Sequence, residues 1–77
     1  TTRIGRARDN DVCVDAASVS RHHAMVVIGL RGTYVEDLKS TNGVRVNGRR
    51  VARQKLLDGD VVAIGDVEFT FRTGPGS

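Results

Sequence analysis

The chain has 77 residues, enough for one small domain and too few for a barrel or doubly wound catalytic fold. Hydrophobic residues make up 39% and charged residues 27%, so a core can form and the composition is not that of a disordered chain. The formal net charge is +3, and ten of the twelve basic residues are arginine, whose planar fork binds phosphate and carboxylate. An anionic partner is therefore expected, with nucleic acid, phosphoprotein and anionic lipid all open.

The single cysteine, Cys13, cannot form an internal disulfide, which favours a reducing compartment. The longest uninterrupted apolar run covers residues 24–28, far fewer than the roughly 20 residues that cross a bilayer. We therefore expect a cytoplasmic protein without membrane insertion. Residues 1–72 predict one folded domain, and residues 73–77 predict a linker or an appended tail.

Short valine-rich runs separated by turn residues predict strands along the whole domain. The first strand ends at Gly5-Arg6, and the later runs cover residues 12–14, about 23–30, 33–38, 44–46, 49–51, 61–64 and 67–72. Asn47-Gly48 and Gly65-Asp66 are two-residue hairpin signals. No window predicts a helix, because β-branched residues and glycines interrupt each one. The pattern predicts an all-β fold, either a β-sandwich or a small barrel.

Alternation is clearest in the last strand. Val67, Phe69 and Phe71 fall on one face, and polar residues occupy the other, as a half-buried strand requires. We therefore expect both phenylalanines to lie in the core.

Four short motifs contain polar residues that suit an anion. They are Gly5-Arg6, Ser20-Arg21-His22-His23, Ser40-Thr41-Asn42-Gly43 and Val46-Asn47-Gly48. Their side chains supply hydrogen-bond donors, and none of the motifs contains a carboxylate. Loops cluster at the two ends of a sandwich, so separate motifs can meet there. The sequence therefore predicts an oxyanion-binding site formed by loops.

The order and spacing of these motifs, with the closing Gly59-Asp60 and Ile64-Gly65, resemble the forkhead-associated (FHA) family over residues 4–72. The resemblance implies an antiparallel β-sandwich that binds phosphothreonine in an extended peptide, without catalysis, cofactor or metal. It implies as partner a threonine-phosphorylated protein or peptide, in trans or in cis, and a Ser/Thr protein kinase upstream.

The resemblance also implies a role for each matching residue. Arg6 would bind the phosphate, Ser20 would bind it through its hydroxyl and backbone, and Arg21 would reach the phosphate or the peptide. Thr41 would supply a second hydroxyl, and Asn42 would bind the peptide backbone beside the phosphothreonine.

Four further residues would support this site. His23 would brace the binding loops, while Gly5 and Gly43 would permit tight backbone. Ser18 falls in the loop that in similar domains contacts the third residue after the phosphothreonine, and its short side chain leaves that preference open.

Other functions remain alternatives. Nucleic-acid binding through the arginine face has little support, because Tyr34 is the only aromatic residue outside the predicted core strand. Nucleic-acid bases would therefore lack a set of aromatic side chains on which to stack. A hydrolase with Ser20 and His23 would have no aspartate to orient the histidine. Cys13, His22 and His23 fit no common zinc spacing. The group Arg45, Arg49, Arg50 and Arg53 is expected to be a solvated sheet face and rim.

The sequence departs from the family at its beginning. Only residues 1–4 precede Gly5-Arg6, whereas FHA domains usually begin with a further strand or two. We therefore expect a sandwich that lacks its N-terminal strand or strands and has an uncovered sheet edge. Such an edge predicts lower stability and self-association.

Overall fold

A computed structural model, which describes residues 1–73, shows nine short strands. They are β1 Thr2–Gly5, β2 Val12–Cys13, β3 Ala24–Gly29, β4 Gly32–Asp37, β5 Val44–Val46, β6 Arg49–Val51, β7 Arg53–Leu56, β8 Val61–Ile64 and β9 Val67–Thr70. No helix occurs in this part of the chain, and hence none that could span a membrane. The predicted tail lies outside the described residues from residue 74 onward.

The strands form two sheets, which confirms the predicted all-β sandwich. One sheet has the order β2-β1-β3-β4-β7, and the other has the order β6-β5-β8-β9. Every pair is antiparallel except β1 and β2, which run parallel and so depart from the purely antiparallel expectation. The described N-terminal strand β1 lies between two neighbours and is not an edge. The edges are β2, β7, β6 and β9.

The core lies between the sheets and follows from alternation along the strands. The buried hydrophobic side chains come from both sheets and from one loop: Ile4, Val19, Ala24, Val35, Val44, Val46, Leu56, Val62 and Ile64. The two predicted hairpins form, with positive φ at Asn47 (53°), Gly48 (85°) and Gly65 (61°). These turns fix the register of the four-stranded sheet.

Strand β7 was missed by the sequence analysis. Arg53, Gln54 and Lys55 are exposed and show no alternation, and only Leu56 is buried. The strand forms because its backbone pairs with β4 and its last residue enters the core. The predicted last strand is also shorter than expected and ends at Thr70.

The expectation that both phenylalanines are buried was wrong for Phe69, which is 37% exposed. Phe71 is partly buried and packs against the core. Phe69 lies on the edge strand β9 and lines an open apolar groove together with Ile4, Val12 and Val26. Alternation correctly assigned its face, but the groove on that side is open to solvent and leaves the Phe69 ring partly exposed.

Candidate functional site

Three loops meet at one end of the sandwich. The register aligns Ile4 with Ala24 and Ala24 with Asp37, so β1 and β4 end where β3 begins. The loops at residues 6–11, 14–23 and 38–43 therefore leave the sheets side by side. They contain Arg6 of the first sequence motif and the whole of the second and third motifs, whereas Asn47-Gly48 lies at the far end of β5.

The first two loops are joined through their backbones. The N–H of Arg6 donates to the carbonyl of Ser20 over 3.0 Å, and the N–H of Ala7 donates to the carbonyl of Arg21 over 3.1 Å. Gly5 makes this approach possible, because a Cβ at that position would overlap the carbonyl oxygen of Arg21. Arg6 is exposed, and its backbone N–H lies against Ser20.

A buried asparagine braces the same two loops and was missed as a site residue. Asn10 is 8% exposed, and its Nδ2 donates to the carbonyls of Ala7 (2.7 Å) and Arg21 (2.8 Å). The sequence showed only an Asp-Asn-Asp turn at this position. Arg21, whose carbonyl Asn10 bonds, is 11 residues further along the chain, and turn chemistry alone does not predict so distant a partner.

Ser20 connects the second loop to the third. Its Oγ accepts a hydrogen bond of 3.1 Å from the Thr41 N–H. The hydroxyl proton of Ser20 therefore remains available as a donor. The Ser20 N–H instead donates to His23 Nδ1 at 2.9 Å, which corrects the expectation that the Ser20 backbone also binds the ligand. Thr41 is exposed next to this hydroxyl.

His23 is fully buried and has both ring nitrogens engaged. Since Nδ1 accepts the Ser20 N–H, the ring proton lies on Nε2, which donates to the carbonyl of Gly43 over 2.7 Å. His23 thus lies between the loop that contains Ser20 and the loop that contains Gly43, and bonds to both. Neither nitrogen is free to act as a base on the Ser20 hydroxyl, which removes the geometry that a hydrolase would need.

Asn42 and Ser18 are both tied to neighbouring loops. Asn42 Nδ2 donates to the Ser18 carbonyl over 2.7 Å, which leaves its Oδ1 free of hydrogen bonds within residues 1–73. The Ser18 Oγ accepts from the Asp66 N–H over 2.9 Å. A Cβ at Gly65 would overlap the Ser18 carbonyl, so this contact needs glycine. Ser18 therefore fixes the loop position, and its hydroxyl faces the β8–β9 turn.

The third loop is shaped by an aspartate that the sequence analysis did not single out. Asp37 Oδ1 accepts from the Ser40 N–H (3.0 Å) and from the Ser40 hydroxyl (2.6 Å). The Ser40 Oγ in turn accepts from the Gly43 N–H at 2.9 Å. Gly43 adopts φ 78°, a left-handed conformation that favours glycine. The Asp-x-x-Ser spacing was the signal available in the sequence.

The cations of the site are not neutralised by the protein. Arg6 and Arg21 are exposed, and neither has a carboxylate within 4.0 Å in residues 1–73. The one side-chain contact at ion-pair distance among the described residues joins His22 and Asp9 at 3.0 Å, and the His22 side chain is 52% exposed. The hydrogen bond from His22 lowers the pKa of Asp9. The hydrogen bonds between the loops thus bring together the backbones that carry a guanidinium, two hydroxyls and a free amide oxygen. Such a set of groups suits an oxyanion on a peptide.

The one aromatic ring outside the core strand does not form a stacking platform. The guanidinium carbon of Arg53 lies 4.7 Å from the centroid of Tyr34 and covers one face of the ring. Arg45 and Arg50 are exposed on the other sheet, as a solvated face predicts.

Comparison with known proteins shows the family of the chain. The family model for the FHA domain matches residues 2–65. The chain is 47% identical over 77 residues to the transcriptional regulatory protein EmbR of Mycobacterium tuberculosis, covering 99% of this chain and 20% of EmbR. It is 49% identical over 72 residues to an ABC transporter ATP-binding/permease protein of the same organism, covering 94% of this chain and 8% of that protein. The chain therefore spans a fifth or less of these relatives.

Solved structures give the same result. A complex of Mycobacterium tuberculosis EmbR with a low-affinity phosphopeptide superposes with a TM-score of 0.94 at 47% identity, covering 99% of this chain and 20% of that one. A structure from a study of phosphothreonine-dependent FHA domain interactions superposes with a TM-score of 0.91 at 35% identity. That match covers 96% of this chain and 77% of the other.

Proposed function

Because the chain belongs to the FHA family, we propose that it is a non-catalytic module that binds phosphothreonine in an extended peptide. Arg6, Ser20, Arg21, Thr41 and Asn42 bind the phosphopeptide, and Ser18 positions the loop that contacts its flank. Gly5, His23 and Gly43 support the site.

One observation supports this proposal most directly. The Thr41 N–H bonds the Ser20 hydroxyl, and the Arg6 N–H bonds the Ser20 carbonyl, so Ser20 holds Arg6 and Thr41 on either side of itself. The backbones that carry three donor side chains from three loops are thereby held around one point, which lowers the cost of ordering the loops at binding. This is the arrangement that three phosphate oxygens require.

The charge of the ligand supports the same function. A phosphate ester carries about −1.5 to −2 charges at pH 7, and charge-assisted hydrogen bonds contribute about 1.5–3 kcal/mol each. Three or four such contacts, less the cost of ordering a flexible peptide, give an expected binding free energy of about −8 kcal/mol. This value corresponds to a micromolar dissociation constant. Such binding is reversible, as signalling requires.

We extend the proposal to the partner that carries the phosphothreonine and to the kinase that phosphorylates it. The ligand is a threonine-phosphorylated protein, in trans or on the same polypeptide, and a cytoplasmic Ser/Thr kinase produces it. The EmbR relative is a regulatory protein whose solved complex contains a phosphopeptide, which supports a role in kinase signalling. The larger assembly that uses the module is set by the rest of its polypeptide.

The direct test is a calorimetric titration with a degenerate phosphothreonine peptide library. Matched phosphoserine and unphosphorylated libraries serve as controls. We expect micromolar binding confined to the phosphothreonine library. Equal binding of the phosphoserine library would overturn the selectivity, and absence of binding to all three would overturn the proposal. Oligonucleotide binding with a steep salt dependence would then favour the nucleic-acid alternative.

A further inference from the structure

Arg50 lies against the third binding loop, although no sequence motif includes it. On β6 it is opposite Arg45, while Val51 is opposite the buried Val44. Arg45 and Arg50 therefore project from the solvent face of the sheet. A Cβ placed on Gly43 would lie 2.6 Å from the Arg50 Nε and 2.9 Å from its Cζ. The guanidinium thus leans along the sheet toward the loop and covers the Gly43 backbone.

The two arginines have no counter-ion in residues 1–73. No carboxylate oxygen of that part of the chain lies within 4.0 Å of Arg45 or Arg50, and both side chains are exposed. Like charges directly opposite each other on a sheet are destabilising. The pair therefore costs folding stability and remains available to an anionic group from outside.

The position of Arg50 beside the loop at residues 38–43 determines which part of a bound peptide it can contact. Gly43 directly follows Asn42, the residue proposed to bind peptide backbone beside the phosphothreonine. Consecutive Cα atoms are about 3.8 Å apart, and an extended peptide advances about 3.3 Å per residue. The guanidinium therefore lies within reach of a ligand side chain about one to three residues from the phosphothreonine.

We infer that Arg50 is a specificity-determining residue that binds an aspartate or glutamate flanking the phosphothreonine, with Arg45 adding positive potential. This inference rests on the proposed function. Carboxylate matches the planar fork of arginine. Because the contact is exposed, its expected effect is about a three- to tenfold gain in affinity. The gain decreases between about 0.05 M and about 0.5 M salt, since the Debye length shortens.

The test uses phosphothreonine peptides that differ by one residue, with aspartate or asparagine at each of the three positions on either side. The measured quantity is the affinity ratio of the acidic to the neutral peptide. We expect a ratio above three at one position for the unchanged chain, and a ratio near one for Arg50→Gln. Arg49→Gln is the matched control, because Arg49 is exposed on the same strand but faces the cleft between β6 and β7. Its ratio should equal that of the unchanged chain.

Several outcomes overturn the inference. If Arg50→Gln weakens acidic and neutral peptides equally, Arg50 supports the loop or the phosphate instead. If the unchanged chain binds phosphothreonine with a ratio of one throughout, the inference fails and the proposed function stands. If it binds no phosphothreonine peptide, both fail. Support would also come from Arg50→Glu, which should favour lysine at the same flanking position, and from a melting temperature that does not fall in Arg50→Gln.

Discussion

The Nε2 of His23 lies 2.7 Å from the carbonyl oxygen of Gly43, while its Nδ1 accepts the N–H of Ser20. One fully buried imidazole thus joins the serine loop to the Ser-Thr-Asn-Gly loop. Both bonds need the neutral ring with its proton on Nε2, because a proton on Nδ1 would face the Ser20 N–H. The spacing of Ser20 from Thr41 therefore depends on this ring.

Two substitutions of His23 separate its two bonds. Asparagine can offer an acceptor where Nδ1 lies, and glutamine can offer a donor where Nε2 lies. Each variant leaves one buried backbone group unpaired and should lower the free energy of unfolding by about 1–3 kcal/mol. His23→Asn should retain more phosphopeptide affinity than His23→Gln, because Ser20 stays anchored. Urea unfolding and calorimetry at a temperature where both variants are folded measure the two effects. The reverse order of affinities would contradict this account.

Gly5→Ala tests the backbone junction beneath Arg6. The added Cβ would overlap the Arg21 carbonyl and approach Asn10 Nδ2 within 2.8 Å. The loops must separate, so we expect a loss of stability of about 1–3 kcal/mol and a loss of most peptide affinity. Gly48→Ala is the control, because Gly48 has positive φ and open space around it at the far end of β5. It should destabilise through backbone strain, by about 1–2 kcal/mol, and leave affinity unchanged. Equal affinity losses in both variants would mean that global stability, not the junction, controls binding.

Sequence patterns predicted those parts of the fold that local chemistry determines. Asn47-Gly48 and Gly65-Asp66 form hairpins because glycine and asparagine accept positive φ, whatever surrounds them. Strand β7 escaped prediction because its stability comes from pairing with β4, and its own residues are polar. The exposure of Phe69 was missed for a related reason. Alternation gives the face of a strand but not what covers that face.

The candidate site was likewise predicted where local motifs mark its residues and missed where only tertiary contacts do. Ser20 and Thr41 were found by their motifs, and the structure brings them within one hydrogen bond of each other. Asn10 and Asp37 were missed, because their side chains act on backbone groups that only folding brings close. The backbone of Ser20 was assigned to the ligand, but the nearby His23 uses its N–H. The residues proposed to touch the ligand thus stand in recognisable motifs, whereas Asn10 and Asp37, which hold the loops, do not.

Arg6→Ala should remove most phosphopeptide affinity and leave stability nearly unchanged. The side chain is exposed and makes no hydrogen bond within residues 1–73, whereas the Arg6 backbone bonds remain in the variant. Calorimetry with a phosphothreonine peptide measures the affinity, and a thermal melt measures the stability. Arg8→Ala is the control, since Arg8 is exposed on the same loop and lies outside the proposed site. Retained binding in Arg6→Ala would place the phosphate elsewhere.

Phosphopeptide affinity should fall as the pH decreases below about 6, where the phosphate gains a proton and loses charge. A monoanion forms weaker charge-assisted bonds to Arg6 and to the Ser20 hydroxyl. Titrations with one peptide at a series of pH values from 7.5 to 5 measure the effect, and a melt at each pH verifies that the domain stays folded. A constant affinity across this range would contradict recognition of the dianion.

Asp60 should make stability depend on pH at the end of the sandwich away from the site. Its carboxylate accepts the Leu57 N–H (2.8 Å) and the Asn47 Nδ2 (3.0 Å), and these bonds, the Leu57 bond first, lower the pKa of Asp60. A carboxyl whose pKa is lower in the folded state contributes stability above its unfolded pKa. That contribution is lost as the pH falls through the folded pKa.

The comparison of the unchanged chain with Asp60→Asn tests this linkage. Unfolding by urea should show the unchanged chain to be the more stable at pH 7. The difference should shrink steadily as the pH falls below about 4, the ordinary range of an aspartate. Peptide affinity at pH 7 should be equal in the two proteins, because Asn47 and Asp60 lie at the opposite end of β5 from Gly43. A stability difference that stays constant from pH 7 to pH 2.5 would show that the Asp60 charge contributes nothing. The variant would then act only through the shape of the turn.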